Sequence, residues 1–156
     1  MAQSSSSSKS SDAYPCHSLL ICNKENSSSK GASGEEAVAR YLREHGFKIL
    51  ERNFTVRFSG GPIQGEIDII AAKDGIVSFV EVKSVVGDIS RGFGDWVPED
   101  RVNFQKQRKI ARAMEVWLNK HPAYAEHQVQ IDVAAVLLSP SLKESQIRYS
   151  SNAVSA

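Results

Sequence analysis

The chain has 156 residues, 41% of them apolar, enough to bury a core without disulfides or a structural metal, and this excludes a peptide hormone or a disulfide scaffold. Its 19 basic and 18 acidic side chains leave a formal charge of +1, so the chain as a whole carries no nucleic-acid signature and any basic surface must be local. Cys16 and Cys22 fit neither zinc-site nor disulfide-framework spacing and read as free thiols.

Residues 1–33 are Ser-rich, with runs at 4–8 and 27–29 and almost no apolar period, so a disordered tail is expected before a domain over 34–150, with 151–156 frayed. The apolar run 19–22 is too short for a signal-peptide core or a membrane span, and no arginine precedes Arg40 to suggest a transit peptide. A cytoplasmic protein with no membrane partner is the expectation. Asn26 and Asn53 head glycosylation patterns that, without a secretory signal, are chance matches.

Ser33-Gly34-Glu35-Glu36 places a serine three residues before a glutamate, a capping box that predicts a helix from Ser33 to Gly46. Its apolar stripe is Val38, Ala39, Leu42 and His45, and Glu35 falls on that side. Glu35 is either a glutamate favoured by the helix N-terminus or an active-site charge. A strand is predicted over 47–58, a turn at 59–62, then strands over 66–72 and 76–85 joined by Lys73-Asp74-Gly75, in which Asp-Gly signals a hairpin. Residues 86–97, with Gly87, Gly92 and Gly94, read as a loop, and Pro98 opens a second helix over about 99–119 with an apolar stripe of Val102, Ile110, Ala113, Met114 and Trp117. Lys106 lies within that stripe, where a lysine either snorkels or serves a site. Arg101, Arg108 and Arg112 line the opposite side, a solvated face unless phosphate supplies a partner. Residues 128–138 read as a buried strand and 147–149 as a short edge, which completes a mixed sheet flanked by helices.

The informative stretch is 65–84, GEIDIIAAKDGIVSFVEVKS, in which Asp68, Glu81 and Lys83 interrupt two apolar strands. Alternation puts Asp68 on the face of Ile70 and Ala72, and Glu81 and Lys83 on that of Val77 and Phe79. Ionised groups on a buried face cost several kcal/mol each unless paired or metal-bound. Two carboxylates and an ammonium at one end of a sheet suit a hard cation, Mg²⁺ or Mn²⁺, held by Asp68, Glu81 and the carbonyl of Val82. Lys83 would position the attacking water and stabilise developing charge, Glu35 would hold a bound water, and Lys106 would meet phosphate, with Arg101 and Arg108 as further nucleic-acid contacts. Glu-x-Lys alone is weak, expected by chance in roughly one of two chains this size. The chain has no GxSxG elbow, no phosphate loop and no HExxH, and His17, His45, His121 and His127 lack ligand spacing and read as packing or surface residues.

GEIDII followed by FVEVK, with GEEAVARYL before them and KQRKIARAMEVWL and IDVAAV after, resembles the YraN-like family of small bacterial proteins. That family is similar to the PD-(D/E)XK, restriction-endonuclease-like superfamily, near archaeal Holliday-junction resolvases. The resemblance runs from Ser33 to about Leu138 and implies an α/β fold with an αβββαβ core and an Mg²⁺-dependent nuclease site. In it Glu35 matches the first-helix acid, Asp68, Glu81 and Lys83 the signature, and Lys106 the second-helix lysine. The chain departs from the family pattern in carrying Val85 and Gln130 where arginines are usual, and in added residues between Asn53 and Gly65. The implied partner is DNA, branched or damaged, with a homodimer left open. Three readings therefore stand: a metal-dependent nuclease, a binding module that keeps the fold without cutting, and a structural charge network. Convergence of Glu35, Asp68, Glu81 and Lys83 on one cleft is what separates the first from the last.

Overall fold

In the computed structural model, which describes residues 18–20, 30–96 and 104–154, the chain runs through β1 (Ser18–Leu20), α1 (Lys30–Glu44), β2 (Lys48–Arg57), β3 (Ile63–Lys73), β4 (Ile76–Val86), α2 (Phe104–Lys120), β5 (Gln128–Leu138) and β6 (Glu144–Val154). The strands form one sheet in the order β1-β6-β5-β4-β3-β2. β2, β3 and β4 are an antiparallel meander, β5 is parallel to β4 after the α2 crossover, and β6 is antiparallel to β5. This is the mixed α/β sheet of a restriction-endonuclease-like core.

Local chemistry accounts for the turns. Asp74 and Gly75 both take positive φ, 50° and 78°, the backbone of the tight hairpin that Asp-Gly predicts, and Lys73 stands opposite Ile76. α1 stops where Gly46, at φ 82°, lets its own amide reach Arg43 O and the amide of Phe47 reach Leu42 O, the paired bonds of a Schellman ending. α1 covers one face of the sheet with Val38, Tyr41 and Leu42 against Ile69, Val80, Ala134 and Val136. α2 covers the other with Ile110, Ala113 and Trp117 against Ile67, Ile70, Phe79 and Val133. Trp117 meets Phe79 edge-on at 5.7 Å and donates its indole N–H to Glu51 Oε2 at 2.7 Å, so the largest buried ring leaves no polar atom stranded.

Three expectations need correction. α1 begins at Lys30, so Ser33 sits inside the helix rather than capping it, and Glu36 pairs with Arg52 at 2.7 Å instead of closing a capping box. Part of the Ser-rich tail is ordered, since Ser18–Leu20 pairs with Glu144–Gln146 of β6. β6 is not a short edge but runs from Glu144 to Val154, through residues expected to fray. What extends it is Asp132, wholly buried on β5, whose Oδ1 accepts the amide of Asn152 at 2.8 Å where the β5–β6 register slips, and whose Oδ2 accepts from Tyr149 Oη at 2.5 Å. α2 is described from Phe104, and the helix start expected near Pro98, like Arg101, His17 and both cysteines, lies outside the described residues.

Candidate functional site

β3 and β4 share a ladder only from Ile69–Val80 to Lys73–Ile76. Beyond it they part: the first half of β3 pairs with β2 alone, and β4 from Glu81 onward pairs with β5. Asp68 and Glu81 sit at the fork. The fork also breaks the alternation of β3, because Ile67 packs under α2 whereas Ile69, two residues on, packs under α1. Alternation therefore does not by itself assign Asp68 to the face of Ile70 and Ala72. Its carboxylate instead crosses the gap, and Oδ2 accepts the amide of Val82 at 2.7 Å in place of a ladder carbonyl.

Glu81 is 4% exposed and clamped by two ammonium groups. Lys83 Nζ donates to Oε1 at 2.7 Å, and Lys106 Nζ forms an ion pair with Oε2 at 2.9 Å. Glu81 and Lys83 occupy the face of Val77 and Phe79, as alternation predicts, and α2 brings Lys106 to that face because Ile110, Ala113 and Trp117 bury the same side of the helix. Gly65 makes that approach close: a Cβ there would lie 2.8 Å from Lys109 O.

Charges that crowd together show in their protonation. Burial, then the negative charge of Glu81, pushes the Asp68 carboxyl up to about 7, against the opposing pull of the Val82 amide and of Lys106; Glu35 adds a smaller upward push. Burial drags Lys106 down, but Glu81, with Asp68 and Glu66 behind it, outweighs burial and leaves it raised. Glu35 is half-buried in the first turns of α1, near enough for its charge to be felt at Asp68. Gly34 beside it packs against β4, where a Cβ would meet Ser84 Oγ at 1.9 Å.

Of the residues picked from the sequence, the fork gathers Asp68, Glu81, Lys83 and Lys106, with Glu35 in electrostatic range. Val82 contributes its amide to Asp68. Arg108 is not brought there: it is exposed, with its guanidinium 5.9 Å from the Phe104 ring. A cavity of about 610 Å³ opens elsewhere, at the C-terminal end of β4, lined by residues such as Val86, Asp88 and Glu144, and none of the fork charges lines it.

Among the described residues no group of three or more His, Cys, Asp and Glu side chains is placed to hold a metal ion. The two carboxylates of the fork are still of the kind a hard cation that keeps most of its waters would take, because the charge of Glu81 makes the ionised form of Asp68 costly and oxygen donors of this kind suit Mg²⁺ or Mn²⁺. One cation was missed. Arg148 on β6 stands opposite Ala135, itself opposite Lys83, so it shares the Lys83 face two strands away, and it donates to Trp96 O at 2.8 Å with Phe93 4.8 Å beneath it. Reading β6 as a full alternating strand would have exposed it. His45 and His121 are packing residues, stacked on Tyr41 at 3.9 Å and Trp117 at 4.1 Å.

The family described as "Uncharacterised protein family UPF0102" matches residues 34–136. A UPF0102 protein of Nocardia farcinica is 37% identical over 110 residues, 70% of this chain and 77% of its own length. One from Persephonella marina is 39% identical over 108 residues, 69% of this chain and 83% of its own. One from Clostridium botulinum is 33% identical over 135 residues, 86% of this chain and 98% of its own.

Proposed function

This chain belongs to the uncharacterised protein family UPF0102, and from that footing we propose that it is a metal-dependent nuclease that hydrolyses DNA phosphodiester bonds, with branched or damaged DNA of repair and recombination as its substrates. The observation that carries this reading is the fork itself, where two strands separate to hold two carboxylates beside two ammonium groups. Asp68 and Glu81 would hold Mg²⁺ or Mn²⁺, with the Val82 backbone alongside, and the bound ion would supply Lewis acidity and an acidified water. Lys83 and Lys106, which neutralise Glu81 from either side, are the groups that an arriving phosphate would meet. Lys83 is the nearer to solvent and orients the water and the charge that builds on phosphate oxygen; Lys106 holds a phosphate oxygen. Glu35 would hold a bound water by accepting its hydrogen bond from the α1 side.

The test is cleavage of branched and linear DNA by the full chain with Mg²⁺ or Mn²⁺. Glu81→Ala and Lys83→Ala are expected to lose cleavage by about a hundredfold or more. Equal cleavage by the intact chain and both variants would overturn the mechanism. One observation favours the second reading, a DNA-binding module that does not cut: both oxygens of Glu81 are already in contact with lysines. That reading expects DNA binding with no heat of Mn²⁺ binding in calorimetry and no cleavage of any substrate.

A further inference from the structure

Among the described residues, two of the large apolar side chains left in solvent are phenylalanines, Phe104 at 72% and Phe58 at 58% exposure. Single exposed apolar groups are ordinary. These two are not isolated. Each lies beneath an arginine of α2, with Arg108 5.9 Å from the Phe104 ring and Arg112 5.8 Å from that of Phe58. Phe104, Arg108 and Arg112 follow one another at four-residue steps, so they form one stripe, nearly opposite the side that buries Ile110, Ala113 and Trp117. Phe58 enters the same stripe from the turn between β2 and β3, and Gln64 steadies Arg112 there at 3.2 Å. Lys109 and Arg57 are exposed nearby in sequence and add positive charge.

The exposures decide between two uses of these rings. Had the arginine stems been there to cover the phenylalanines, the rings would be largely shielded, yet each keeps more than half of its surface in water. A flat apolar ring with a guanidinium on one side and solvent on the other is a stacking surface, and nucleobases are the flat partners that arrive with negative charge attached. A duplex would offer this stripe its phosphates only, because its bases are stacked on one another. Bases free to stack on phenylalanine belong to an unpaired strand. Phe104 is two residues ahead of Lys106 on the same helix, so the stripe starts level with the fork along α2 but on the helix's outer side.

Resting on the nuclease reading, and naming its substrate more narrowly, we propose that the outer side of α2 and the β2–β3 turn bind single-stranded DNA beside the fork. Phe58 and Phe104 stack on unpaired bases, while Arg108 and Arg112 hold the intervening phosphates. The substrate is then a structure with an unpaired flank.

The experiment is fluorescence anisotropy on the full chain in chelator, so that no cleavage enters, using an oligothymidylate strand and a mixed-sequence duplex of the same length. Phe58→Ala/Phe104→Ala, which alters only exposed rings, is expected to weaken strand binding about tenfold or more and to leave duplex binding unchanged. Phe58→Trp/Phe104→Trp should retain strand binding, and Arg108→Ala/Arg112→Ala should weaken both probes and flatten their salt dependence. Strand binding untouched by loss of the rings, or strand and duplex weakened alike, would overturn the proposal. So would an intact chain that binds neither probe, which would assign the stripe to a protein partner. Cleavage is scored separately: a Glu81→Ala chain that binds strand through the rings, in a protein that cuts nothing, keeps the platform and discards the nuclease. Cleavage with ring-independent binding does the reverse.

Discussion

Burial and the charge of Glu81 hold the Asp68 carboxyl at about 7, where an unhindered aspartate titrates at 3.8. Folding therefore retains a proton that the unfolded chain has already released. The sign follows from linkage: the stability attached to this proton is complete below 3.8 and is lost as pH rises through about 7. Asp68→Asn keeps an oxygen for the Val82 amide but has nothing to titrate. In chelator, the melting temperature of the intact chain should fall relative to that of Asp68→Asn between about pH 5 and about pH 8. Parallel pH courses would show that Asp68 titrates as a solvated carboxylate. The sequence disclosed that Asp68 was out of place among Ile67, Ile69 and Ile70, but not which way it points. Alternation holds along a regular ladder, and Asp68 stands where β3 leaves β4.

At the scale of elements, the site depends on how closely α2 lies against β3. Gly65 permits that contact, since a Cβ there would lie 2.8 Å from Lys109 O and 3.0 Å from Ala113 N, both backbone atoms that cannot rotate aside. Gly65→Ala should push α2 outward, lowering stability by about 1–3 kcal/mol in chemical denaturation and drawing Lys106 away from Glu81. A variant as stable as the parent would mean that the helix adjusts freely. Elements with a strong local signal were legible beforehand: the 74–75 hairpin, the Gly46 stop, and the stripe of Ile110, Ala113 and Trp117. Those set by distant partners were not. Ser33 looked like a cap because its neighbours in sequence allow one, whereas Glu36 is taken by Arg52 from β2. The full length of β6 rests on Asp132, a residue whose role cannot be read without knowing which strand lies beside β5.

Taken whole, the molecule is built outward from the parallel pair β4–β5, whose central residues, Val77 to Val80 and Val133 to Val136, are wholly buried between the two helices. At the margins lie a three-residue β1 on one side and β2 on the other, with alternate residues of β2 in solvent toward its end. Native-state hydrogen exchange should rank amides accordingly, slowest in the middle of β4 and β5 and fastest in β1 and in β2 near Arg57. Exchange in β5 as fast as in β2 would contradict a core centred on that pair. The overall αβββαβ plan was readable because each core element carries its own periodicity. The added strand at Ser18–Leu20 was not, because three residues have no period to detect and gain their order from β6.

The bond from the Val82 amide to Asp68 Oδ2 gives the protein a built-in spectroscopic probe. Whatever takes that carboxylate, whether a proton or a cation, alters the field at a single backbone N–H in the middle of β4. The nitrogen and proton shifts of Val82 thus form a gauge of site occupancy, readable on an unlabelled ligand and before any reaction begins.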